Sequence, residues 1–159
     1  MTGSRFASPA AESPGFLLWQ LTLAWQRELS AVLKPLGLTH VQFVLLASSW
    51  WLGRSGTAPR QVDVAQLAGT DPKMTSEVLR KLEAKGLIDR TVDPQDTRSR
   101  RIAVTDDGAS LAARSVAVVE AADEAFFSPA PQVSRSLAVI LAGHRPSSTN
   151  YKPQGTEAR

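Results

Sequence analysis

VDVAQLAGTDPKMTSEVLRKLEAKGLIDRTVDPQDTRSRRIAVT, residues 62–105, is the stretch whose reading decides the fold. Val64, Ala65 and Leu67 give a short helix over 62–68, and Gly69 supplies the turn that ends it. Asp71 has the side chain of an N-cap, with Pro72 in the first turn. Met74 or Thr75, then Val78, Leu79 and Leu82, form the inward face of the next helix, which Gly86 closes. Ile88 to Val92 and Arg101 to Val104 are β-prone runs around a polar segment containing Asp93-Pro94, which predicts a hairpin with a long tip. Thr105 then caps a further helix, with Asp106 and Asp107 at the positive end of its dipole.

Outside this stretch the pattern is helical. Residues 1–12 mix Ser, Ala, Pro and Gly and read as a disordered arm. Ser13 and Pro14 start a helix carrying Leu18, Leu21, Trp25, Leu29 and Val32 until Pro35 and Gly37. Its first half is apolar nearly all round, so it needs burial on more than one side, which a second copy supplies better than one small domain. Thr39 and Gln42 have capping-box spacing, and Val41, Val44, Leu45, Ser48, Trp51 and Leu52 give the helix they open an apolar stripe. The helix from Thr105 carries Leu111, Ser115, Val118, Val119, Ala122 and Phe126 as far as Ser128-Pro129. A last one carries Val133, Leu137, Ile140 and Leu141 before Gly143, and 143–159 reads as a disordered tail. The expected class is mainly α with a small β-hairpin wing: one domain over 13–142, with a winged helix-turn-helix at 39–105 and dimerisation helices at 13–36 and 106–142.

A length of 159 residues suits one domain, and a formal charge of +3 leans mildly towards a polyanionic partner. The chain has no cysteine, so disulfides, thiolate metal sites and cysteine-based redox sensing are excluded. His40 and His144 are its only histidines and have no ligand spacing, so no metal and no cofactor is expected. Glu120, Asp123 and Glu124 read as a solvated helix face, with no nucleophile beside them and no phosphate-binding loop motif, so no enzyme is expected either. The apolar run Phe16–Trp25 is broken by Gln20 and Thr22 and lacks a cleavage site, so it reads as a buried helix rather than a signal or a membrane span. A cytoplasmic protein is the expectation.

On the helix opened by Asp71, the inward set leaves Lys73, Ser76, Glu77, Arg80 and Lys81 adjacent on the opposite face. A major groove admits an α-helix. Arg and Lys donate to guanine O6 and N7, Ser and Thr hydroxyls serve a base or a phosphate, and backbone amides at the helix start can receive a phosphate oxygen in competition with the Asp71 carboxylate. Thr75, the alternative to Met74 on the inward side, is counted among these contacts too. The hairpin tip adds Arg98, Arg100 and Arg101, a composition suited to a narrow minor groove. Asp96, two positions before Arg98, is placed to restrain its guanidinium beforehand. Each feature alone also fits a solvated surface, but a solvated surface does not require their order.

The chain resembles the MarR-type winged helix-turn-helix regulators. The resemblance rests on Val64-Ala65-Gln66-Leu67-Ala68, Thr70-Asp71-Pro72-Lys73-Met74-Thr75-Ser76, Leu82-Glu83-Ala84-Lys85-Gly86-Leu87-Ile88-Asp89-Arg90, Asp93-Pro94-Gln95-Asp96-Thr97-Arg98, and Val104-Thr105 with Asp107-Gly108 beyond. It implies a homodimeric regulator, expected to be a repressor, held by the first and last two helices on a pseudo-palindromic operator in double-stranded DNA. The helix over 71–85 enters the major groove and Arg98 the minor groove. Oxidant sensing through cysteine, as in one branch of that family, is closed to this chain.

Trp19, Trp25, Phe43, Trp50 and Trp51 make the first two helices unusually aromatic. Core or dimer packing explains them, and so does an apolar effector pocket. The resemblance favours a small apolar or anionic effector that releases DNA, with Trp25 and His40 in its wall. The alternative function is a winged-helix protein-interaction module whose basic wing meets an acidic partner.

Overall fold

The computed structural model describes residue Gly3 and residues 5–144. Helices α1 (Pro9–Glu12) and α2 (Pro14–Leu33) lead through a 3-10 turn (Lys34–Leu36) into α3 (His40–Gly53). Then come α4 (Gln61–Ala68), α5 (Pro72–Ala84), the strands β1 (Ile88–Asp93) and β2 (Asp96–Val104), α6 (Asp106–Phe127) and α7 (Val133–Ala142). The chain forms two compact units, one within Met1–Glu124 and one within Ala125–Arg159. Among the described residues no single helix is long and apolar enough to cross a membrane.

Local chemistry sets the helix ends. Thr39 Oγ1 accepts the Gln42 N–H at 3.3 Å while Gln42 Oε1 accepts the Thr39 N–H at 3.2 Å, a complete capping box for α3. Gly69, left-handed at φ 68°, ends α4. Two residues later the Asp71 carboxylate accepts the Met74 N–H at 2.9 Å and starts α5, with Pro72 at its first position. Thr105 joins three elements. Its hydroxyl donates to Gly86 O at 2.8 Å and accepts the Gly108 N–H at 3.0 Å, and its own N–H bonds Leu87 O at 3.2 Å.

The core gathers the C-terminal half of α2 (Leu29, Leu33), α3 (Leu45, Leu46), α4 (Val64), α5 (Leu79, Leu82) and the hairpin (Ile88, Ile102), with Leu111 and Ala112 from α6. β1 and β2 pair antiparallel with Ile88 opposite Val104 and Val92 opposite Arg100. The segment before α4 adds a short third edge, where the Ile102 N–H donates to Pro59 O at 2.8 Å.

Several expectations change. The hairpin tip is short: β2 begins at Asp96, so only Pro94 and Gln95 connect the strands. The buried positions of α3 are Gln42, Leu45, Leu46 and Ser49, whereas Trp51 is 54% exposed. Apolar residues surround most of α3, so hydropathy gave no phase; contacts with α2, α4, α5 and β2 set it. Ser13 stands at the N-cap position of α2 without making a side-chain cap. Part of the presumed arm is helical in α1, and the presumed tail beyond His144 lies outside the described residues. Phe16, Leu17, Leu18, Trp19 and Leu21 are exposed in the single chain, on the half of α2 expected to need a second copy for its burial.

Candidate nucleic-acid interface

Burial of Thr75, Val78, Leu79 and Leu82 turns the opposite face of α5 outward, and Lys73, Glu77, Arg80 and Lys81 are exposed there. Arg80 Nη2 donates to Ser76 Oγ at 3.1 Å, one turn earlier, so this guanidinium is partly ordered in the free chain. Thr75 departs from expectation. It is fully buried, and its hydroxyl donates to Asp71 O at 2.7 Å and lies 2.8 Å from Thr70 Oγ1, so it holds the turn before α5.

Between the start of α5 and the wing runs a groove of about 350 Å³ whose lining includes Thr75 and Ser76 of α5, Arg90, and the β2 residues Arg98, Ser99 and Arg100. The structure therefore brings the predicted helix residue Ser76 and the predicted wing arginines to one place. Arg98 and Arg100 are exposed. Asp96 acts differently from the expected restraint: its Oδ1 accepts the backbone N–H of Arg98 at 3.1 Å, which shapes the start of β2 rather than holding the guanidinium.

Arg101 does not join the outward set. Its Nε lies 2.9 Å from Asp93 Oδ2 and its Nη1 donates to Ala58 O at 2.9 Å, which locks β2 onto the segment before α4. Asp93 is 1% exposed and its other oxygen accepts the Gln95 N–H at 3.0 Å. That backbone N–H, with help from Arg101, holds the Asp93 carboxyl below the usual carboxylate range although burial opposes it. Arg60, exposed at the start of α4, is bound by Asp63 at 2.8 Å; that hydrogen bond and charge raise its pKa.

Sequence reasoning assigned no role to Arg90, although it closes the motif read at Leu82 to Arg90. Its side chain is 13% exposed, its Nη2 donates to Gln61 Oε1 at 3.0 Å, and its Nη1 lies 3.7 Å from Glu83 Oε2, so it ties α4, α5 and β1 together at the floor of the groove.

Trp25 and His40 touch each other, ring centroids 5.0 Å apart and edge to face at 79°. The Trp25 indole N–H donates to Asp123 Oδ1 at 2.7 Å, so Asp123, read as part of a solvated face, belongs to this cluster. Only the helix packing of α6 against α2 reveals it. Burial lowers the His40 pKa, against the raising charge of Asp123.

Residues 38–99 match the sequence profile of the MarR family. The chain is 42% identical over 127 residues to the HTH-type transcriptional regulator YdcH of Bacillus subtilis, a match covering 80% of this chain and 86% of that protein. It is similar to CouR of Rhodococcus jostii, solved bound to p-coumaroyl-CoA, at 28% identity and TM-score 0.74 over 88% of this chain and 94% of that one. CouR bound to a 23-mer DNA duplex gives 25% identity and TM-score 0.71 over 88% and 97%. A MarR family protein of Mycobacterium tuberculosis, solved with salicylic acid, gives 34% identity and TM-score 0.58 over 84% and 98%.

Proposed function

Since this chain belongs to the MarR family of transcriptional regulators, we propose that it works as a homodimeric repressor that reads a pseudo-palindromic operator and is released by a small apolar or anionic effector. One observation carries the reading: Ser76, at the start of α5, and the wing arginines Arg98 and Arg100 line a single groove, while Lys73, Glu77, Arg80 and Lys81 are exposed on the same helix. In this reading 39–105 is the DNA-binding lobe, and 13–36 with 106–142 are the dimerisation helices.

Each contact follows from chemistry. α5 lies in the major groove, where Arg80, already held by Ser76, donates to a guanine edge. Glu77 accepts from cytosine N4, and Ser76 serves a base edge or a phosphate. Lys73 and Lys81 neutralise phosphates, while Arg98 and Arg100 enter the minor groove beside them. Asp96 contributes by fixing the backbone from which Arg98 projects. The effector side rests on Trp25 and His40, and CouR and the Mycobacterium tuberculosis protein, with p-coumaroyl-CoA and salicylic acid, supply the chemical precedent. No catalytic activity forms part of this function, and its operator places the protein in the cytoplasm.

The test is selection of bound duplexes from a random DNA library, followed by a salt titration on the winner. The expected result is an enriched inverted repeat with half-sites about 10 bp apart or a near multiple, and an affinity falling steeply with salt as several phosphate contacts require. A chain that enriches no duplex even at low salt sinks the reading and favours an acidic protein partner.

A further inference from the structure

Lys85 follows the last turn of α5 but takes no part in the groove. Its Nζ donates to Gly37 O at 2.7 Å and to Gln42 Oε1 at 2.9 Å, across 48 and 43 positions of sequence. Gly37 is the left-handed residue, φ 69°, that ends the 3-10 turn between α2 and α3. Gln42 is the third residue of α3, and the same Oε1 that meets Lys85 closes the capping box by accepting the Thr39 N–H. Neither acceptor is charged. The ammonium is therefore not neutralised by a carboxylate, and what the contact supplies is direction, through two charge-assisted hydrogen bonds.

The same short linker meets the dimerisation side of the molecule. His40, next after Thr39, packs edge-on against Trp25 of α2, whose indole is held by Asp123 of α6. Between Gly37 and Gln42 the chain thus contacts α2 through Trp25 on one side and the end of α5 through Lys85 on the other. α5 is also held by burial of Val78, Leu79 and Leu82, by the Thr75–Thr70 hydroxyl contact at its start and by the Glu83–Arg90 pair, but neither of these polar contacts reaches the linker between α2 and α3.

We infer that Lys85 is a positioning residue that locks the recognition helix to the α2–α3 hinge and thereby sets the distance at which the two recognition helices of the dimer stand. The inference rests on the DNA-reading dimer proposed above. Without these two bonds the end of α5 keeps its hold on the core and on the turn that follows but loses its tie to the α2–α3 linker, so each helix can settle in its own half-site and spacing relaxes without the loss of any contact to DNA.

The experiment uses the full-length chain and the selected operator, rebuilt with its half-sites moved apart one base pair at a time, together with an isolated half-site. Lys85→Met removes Nζ and keeps the apolar stem, Lys85→Gln leaves a shorter neutral donor, and Lys85→Arg keeps a charged one. Wild type is expected to show one preferred spacing. Lys85→Met and Lys85→Gln should flatten that profile, losing about tenfold at the preferred spacing and little at the half-site, with an unchanged salt slope. Lys85→Arg should restore the peak. An unchanged profile in Lys85→Met and Lys85→Gln overturns the inference alone, and so does an equal loss at half-site and full operator or a smaller salt slope, which would make Lys85 a phosphate contact. A wild type that binds no duplex takes the repressor reading down with it.

Discussion

Arg80 and Arg98 are both exposed, yet they begin from different states. Arg80 is tethered to Ser76, while Arg98 is tied only through its backbone N–H to Asp96, so its guanidinium must be ordered by the DNA itself. Arg80→Ala is expected to cost about 1–3 kcal/mol and to relax preference at one base pair, measured by titrating operators with single substitutions. Arg98→Ala should weaken binding and lower the salt slope by about one while the dimer stays intact in gel filtration. A uniform loss over all sequences for Arg80→Ala would leave it a phosphate contact. At Gly108 the constraint is steric. A Cβ there would stand 1.9 Å from Leu87 O, a backbone atom, so Gly108→Ala should destabilise the fold by on the order of 1–3 kcal/mol in urea melts. The glycine was visible in the sequence, but the carbonyl it accommodates was not, because that contact joins α6 to the turn after α5.

Among the elements, the wing depends on one ion pair, Arg101 with the buried Asp93. Asp93 has its carboxyl below the usual range, so the stability it contributes is fully present above the unfolded value, about pH 3.9, and is lost as pH falls through the lower folded value. His40 is lowered from 6.5 by burial, so its contribution is complete above that value and falls away as pH drops through the folded one. Thermal melts between pH 8 and pH 5 should show a decline below about pH 6.5 that His40→Gln removes; an equal decline in the variant would assign it elsewhere. Element ends were legible because Thr39, Gly69, Asp71 and Thr105 carry their signals in a few residues of local chemistry. The tip was misjudged because a buried Asp93 gripped by Arg101 draws β2 down to Asp96, a pairing between strands that local propensity does not contain. The outward face of α5 was readable from its period, whereas the burial of Thr75 and its bond to its own turn were not, because hydropathy does not separate a threonine that bonds its own turn from one turned to solvent. Arg90 and Asp123 escaped for the same reason, since their partners lie on other elements.

At the scale of the whole molecule, the apolar face of α2 stands out. Leu18 and Trp19 are 55% and 61% exposed in the single chain, beside Phe16, Leu17 and Leu21, and the second unit shows Val139 and Ile140 at 70% and 60%. Trp19→Asp is expected to shift the protein to monomer in sedimentation and to lower affinity for the full operator by on the order of a hundredfold, because the two half-sites are then bound independently. A dimer that survives this change would place the subunit contact elsewhere. Half-site affinity should hardly move, since α5 and the wing are untouched.

That exposed stripe also shapes how the regulated gene responds to the amount of repressor. While subunits remain dilute enough to stay apart, doubling the number of chains quadruples the number of pairs by mass action, and operator occupancy follows the pairs. A modest rise in synthesis therefore closes the gene sharply, and slow degradation reopens it with the same steepness. Substitutions that strengthen pairing would flatten this response even if every base contact were kept.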